Sequence, residues 1–183
     1  MSNSTIHSTP SNAKAPRCGI LAPAFALPDA TQSAEAEPVR LRAWRQRRPV
    51  LLALLPAEAG EQRVAWLRAL AARRDDLDYA RAVTLAILGS DREAVRALWR
   101  QADVAFPLLA DASGETLAAY LGARHTLPAL ALVNRYSVLL ALLPAADASA
   151  APDLDAALTE FAYAEQEDCE CTIPAWPAEE DEL

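Results

Sequence analysis

Two kinds of segment alternate through the middle of the chain. Continuous apolar runs, "PVLLALL" (49–55) and "AVTLAIL" (82–88), suit strands buried on both faces. Between them, "EQRVAWLRALAARR" (61–74) sets Val64, Leu67, Leu70 and Ala71 at helical spacing, with Arg68, Arg73 and Arg74 facing outward. "SDREAVRALWRQA" (90–102) opens with Ser90 and Glu93 at capping-box spacing and carries Val95, Leu98 and Trp99 on its apolar side. "FPLLAD" (106–111) leads into "GETLAAYLGA", a short helix predicted to end near Gly122. "ALALV" (129–133) and "VLLAL" (138–142) flank Asn134 to Ser137 and read as an antiparallel hairpin. "PDLDAALTEFAYAEQ" closes the pattern as a helix with Leu154, Leu158 and Phe161 inward.

Strand–helix–strand–helix, a short element, a hairpin and a last helix predict an α/β protein. Its central sheet is mixed, parallel in the middle and flanked by helices, the order found in thioredoxin-like folds. With 183 residues the chain suits one full-sized core, so a single domain is expected. The Ser-, Thr-, Asn- and Pro-rich start reads as a flexible arm over 1–18. The domain itself is expected over 19–166, with "ATQSAEAEP" (30–38) as a loop and an acidic tail over 167–183.

Composition narrows the function classes. A net charge of −8 argues against nucleic-acid binding, which needs a basic footprint. No stretch is apolar enough for membrane insertion, since "ALALVNRYSVLLALL" is interrupted by Asn134, Arg135 and Ser137. Three cysteines with no framework spacing fit a reducing cytoplasm. The expected partner is another protein or a second copy, with no metal or cofactor. Arg40, Arg42, Arg45, Arg47 and Arg48 form a basic cluster, and Glu179, Glu180, Asp181 and Glu182 an acidic one. Both read as solvated surface, or as groups that pair between subunits or with a charged partner.

Several stretches, in order, resemble the peroxiredoxin-like redoxin family, the alkyl hydroperoxide reductase and thiol-specific antioxidant group. They are "GILAPAFALPDA" (19–30), "VRLRAWRQRRPVLLALL" (39–55), "FPLLADASGETLAAYLGA" (106–123), "LPALALVNRYSVLLAL" (127–142) and "CTIPAWP" (171–177). The resemblance implies a thioredoxin-like fold. It also implies a peroxidatic cysteine in the first turn of the helix after the central strand, where amides and the macrodipole lower a thiol's pKa. The family pattern Pro-x-x-x-Thr/Ser-x-x-Cys, laid on Pro56, puts Gly60 at the hydroxyl position and Arg63 at the cysteine. No cysteine occurs between Cys18 and Cys169. The family's arginine before the next-to-last strand is replaced by "HTLP", with Arg124 a few residues early. The resemblance also implies a cis-proline at Pro128.

The expectation is therefore a redoxin-like protein without its peroxidatic cysteine, a redox-inactive binding or scaffolding module. The alternative is a thiol-dependent oxidoreductase or peroxidase using Cys169 and Cys171, or Cys18. Glu167, Asp168 and Glu170 favour the neutral thiols of that pair. Glu58 and Glu61 suit the helix N-terminus as capping charges. Together with Arg63 and Pro128 they could instead line a ligand pocket over the vacated site.

Overall fold

The structure, a computed structural model, describes residues 18–57, 61–124, 126–147 and 149–169. The glutamate Glu58, the histidine His125 and the cysteine Cys171 lie outside the described residues.

The apolar runs form the expected sheet. Strands β3 (Val50–Leu55), β4 (Val83–Leu88), β5 (Leu108–Ala110), β6 (Ala129–Val133) and β7 (Leu139–Pro144) lie in the order β5-β4-β3-β6-β7. β3 runs parallel to β4, and β4 to β5, while β6 is antiparallel to β3 and β7 to β6. Every residue of β3 is buried, as its unbroken apolar run requires. Its side chains alternate between two cores. Leu51, Ala53 and Leu55 face α1 (Gln62–Ala72), α3 (Arg92–Ala102) and α5 (Leu154–Cys169). Val50, Leu52 and Leu54 face α4 (Glu115–Leu121) and the N-terminal segment.

Three expectations are corrected, and one pairing is new. The helix read over 61–74 breaks at Arg73, whose ψ of 22° leaves the helical range, and α2 (Arg74–Tyr79) follows as a separate piece. Asp91, rather than Ser90, caps α3: its backbone is extended, and its carboxylate accepts the Ala94 N–H at 2.9 Å. Among the described residues no peptide bond is cis, so Pro128 is trans. It enters β6 as extended chain, and its carbonyl accepts the Ala145 N–H at 2.7 Å, carrying the β6–β7 ladder one residue further. Finally, β1 (Ala26–Leu27) and β2 (Val39–Arg40) pair as a two-stranded ribbon too short to leave a periodic signature.

Residues 19–30 act as a strap. Gly19 donates to the Leu139 carbonyl and Ala22 to that of Ser137, along the outer edge of β7. Ala30 donates to Leu108, and Ala110 to Pro28, along the outer edge of β5. Between these points Phe25 and Leu27 cross the α4 face, buried in its core. One segment thus covers part of both sheet edges, which would otherwise present unpaired backbone groups.

Candidate functional site: the head of helix α1

β3 ends at Leu55, and the chain turns through Pro56 and Ala57 towards α1. Glu61 stands at the N-cap of α1, in helical conformation and exposed, and its side chain makes no capping bond. Arg63 occupies the first turn, and its Nη1 donates to Ser90 Oγ at 3.1 Å. This contact joins the head of α1 to the turn between β4 and α3. No acidic residue stands in the first turn of α1, which Glu61 precedes at the N-cap and in which Arg63 lies. A macrodipole favours negative charge at this end of a helix. The head of α1 therefore combines backbone amides with the Glu61 carboxylate and the Arg63 guanidinium.

The floor of the cradle is tightly closed. Gly89, one residue past β4, lies so near the Pro56–Ala57 turn that an added Cβ would sit 2.9 Å from Leu117 Cδ1 and 3.1 Å from the Ala57 nitrogen. The Gly89 N–H donates to the Leu55 carbonyl at 3.1 Å. Beside it, Asp111 is buried to 1% exposure just past β5. Its Oδ2 accepts the Leu117 N–H at 2.8 Å, and its Oδ1 accepts the Ser113 hydroxyl at 3.3 Å. Asp111 thus ties the opening of α4 to the end of β5. Sequence reading passed over both residues. The available signals were a glycine ending an apolar strand and a carboxylate between a strand and a helix.

The remaining candidates are scattered. Pro128 is buried one residue before β6. Since Leu54 pairs with Ala129, Pro128 falls at the same end of the sheet as the Pro56 turn. Arg63 and Glu61 share that end. Cys18 is exposed and not in a disulfide. It precedes the strap where the strap pairs with β7, three strand spacings from β3, or about 14 Å across the sheet. Cys169 is the last residue of α5. The structure therefore brings Arg63 to Ser90 but brings Cys18 to neither. A cavity of about 50 Å³ lies beneath α1, lined by Ala53, Leu55, Trp66, Leu70, Leu130 and Leu154 among others. It is apolar and sits inside the helix–sheet layer rather than at the head of the helix.

Among the described residues no helix is long and apolar enough to cross a membrane. No curated protein matches the chain. Several solved structures share its fold. Peroxidoxin BcpB from Mycobacterium tuberculosis superposes with a TM-score of 0.66 at 20% identity, covering 80% of this chain and 96% of that one. The thiol peroxidase from Chromobacterium violaceum gives 0.65 at 20%, covering 86% and 93%. The mitochondrial 2-Cys peroxiredoxin from Plasmodium falciparum gives 0.72 at 12%, covering 86% and 99%. The AhpC/TSA family model matches residues 18–141, well over half of the chain. The chain belongs to the AhpC/TSA family.

Proposed function

We propose that this protein is a redox-inactive member of its family that acts as a binding or scaffolding module. The observation that carries the reading is Arg63 at the head of α1, bonded to Ser90, where a thiolate would be needed. A peroxidatic thiol must be deprotonated to attack a peroxide, and the helix-head amides are what lower its pKa. Here the first turn carries Arg63, whose guanidinium reaches Ser90, and no cysteine occurs between Cys18 and Cys169. The arm, domain and tail divide at 1–18, 19–166 and 167–183. The bound species is a protein partner or a second copy, and Glu58, Glu61, Arg63 and Pro128 are the residues proposed to meet it. The net charge of −8 disfavours nucleic acid. Three cysteines with no framework spacing support a reducing compartment, the cytoplasm.

The exposure of Cys18 favours a second reading, a thiol oxidoreductase working from Cys18, Cys169 or Cys171. Hydroperoxide consumption separates the two. With dithiothreitol or a thioredoxin system as reductant, the purified chain is expected to consume no peroxide above a buffer control. Turnover that vanishes in the Cys18→Ser/Cys169→Ser/Cys171→Ser variant would establish the second reading and overturn the first.

A further inference from the structure

We infer that the arginine turn before β3 is a seat for the chain's own acidic C-terminal segment, residues 170–183. The turn is built rather than loose. Leu41 is buried at 4% exposure, Trp44 is half-buried, and a 3-10 turn over Leu41–Trp44 joins them. Arg45 donates its N–H to Arg42, and Arg47 and Arg48 donate theirs to Trp44. Gln46 sits at φ 62°, a left-handed conformation that a residue with a side chain adopts at a cost, and its N–H is held by the Arg135 carbonyl at 2.5 Å. Strained backbone at this point fixes Arg42, Arg45, Arg47 and Arg48 outward as a group, all exposed.

The nearest carboxylates in sequence, Glu35 and Glu37, both precede the cluster, and residues 38–57 contain five arginines and no carboxylate. In space, none of the five side chains makes an ion pair or hydrogen bond among the described residues, whose ion pairs involve Arg73 and Arg74 instead. Concentrated positive charge in a chain of net charge −8 calls for a compensating anion. Residues 170–183 hold Glu170, Glu179, Glu180, Asp181 and Glu182 and no basic residue.

The topology gives this segment a path. α5 opens near Leu55 and Leu130, where Leu154 lines the cavity under α1, and runs back along β6 and β7. Over its 16 residues it travels about 24 Å, more than the roughly 17–20 Å of the five- and six-residue strands it follows. Its C-terminal end therefore points towards the β6–β7 turn, and it is that turn's Arg135 that pins Gln46. From Cys169 an extended chain reaches roughly 33 Å by Glu179 and roughly 43 Å by Glu182. The seat is independent of the redox reading and survives its failure.

Amide NMR on the full chain tests the seat. At low ionic strength, neutralising the segment with Glu179→Gln, Glu180→Gln, Asp181→Asn and Glu182→Gln is expected to shift resonances of residues 40–48 and Arg135. The reciprocal variant Arg45→Gln/Arg47→Gln/Arg48→Gln is expected to shift residues 179–183. Both effects should disappear at about 1 M salt, where screening falls to about 3 Å, and neither should vary with protein concentration. Unchanged resonances at 40–48 in the neutralised chain overturn the proposal. Shifts that grow with protein concentration also overturn it, by assigning the seat to a second copy.

Discussion

Tyr120 shows how much one side chain holds. Its ring is fully buried against the α4 face of the sheet, and its hydroxyl donates to the Pro23 carbonyl at 2.8 Å, in the middle of the strap. Burial raises the phenol's pKa well above its ordinary value of 10.0. The folded protein thus keeps the phenol neutral, while the unfolded chain ionises near pH 10. A raised folded-state pKa gives stability that is complete below the unfolded pKa and lost as pH climbs through and past it. Tyr120→Phe is expected to unfold about 1 kcal/mol more easily at pH 8, the worth of one hydrogen bond. It should also show a shallower loss of stability above pH 10 than the parent in urea melts. An equal alkaline slope in the two proteins would assign that loss to other groups. The apolar run around Tyr120 announced a helix, but its bond to Pro23, 97 residues away, could not be read from local pattern.

At the level of elements, long apolar runs were legible and short or distant pairings were not. β3, β4, β6 and β7 stand within two residues of where their patterns put them, because burial, complete along β3 and β6 and partial along β4 and β7, leaves continuous apolar runs. The break at Arg73 and the shift of the α3 cap to Asp91 depend on single backbone angles that no hydrophobic period encodes. For the site, the stretch without cysteine between Cys18 and Cys169 was legible because cysteine is countable. The bond from Arg63 to Ser90 was not, since it joins two turns that only the parallel β3–β4 pairing brings together. The strap was equally hidden. Its β5 end is clamped by α3: Arg92 Nη2 donates to the carbonyls of Asp29, Gln32 and Ser33 at 3.2, 2.7 and 2.6 Å. Arg96 adds Nε to Ala30 at 2.9 Å, and its Nη2 also reaches Gln32. Arg96→Ala is expected to lower the local opening free energy here by about 1 kcal/mol, the low end for a charged hydrogen bond at a partly exposed site. Hydrogen exchange at the Ala30 and Ala110 amides should then quicken several-fold while exchange in β3 stays unchanged. Quickening throughout the sheet would mean that the clamp supports the whole fold rather than the strap.

The whole molecule is two apolar layers sharing one sheet, and β3 is the element both depend on. Its alternate residues feed each core: Leu51, Ala53 and Leu55 on one side, Val50, Leu52 and Leu54 on the other. Neither layer can lose its partner without exposing half of β3, so the two faces should unfold together. The tryptophans report on them separately. Trp99 packs against the α1–α3–α5 core and donates its indole N–H to the Val104 carbonyl at 2.9 Å, whereas Trp44 packs on the other core. In variants retaining only Trp44 or only Trp99, with phenylalanine at the other tryptophans, fluorescence and far-UV circular dichroism are expected to give one midpoint within each variant. Comparison within a variant matters, because losing the Trp99 indole bond lowers stability by itself. If Trp44 fluorescence changed at lower denaturant than the dichroism, the strap-covered face would be opening ahead of the helices. The arginine turn that carries Trp44 would then be a separately melting unit, and a seat resting on it would be lost before the sheet.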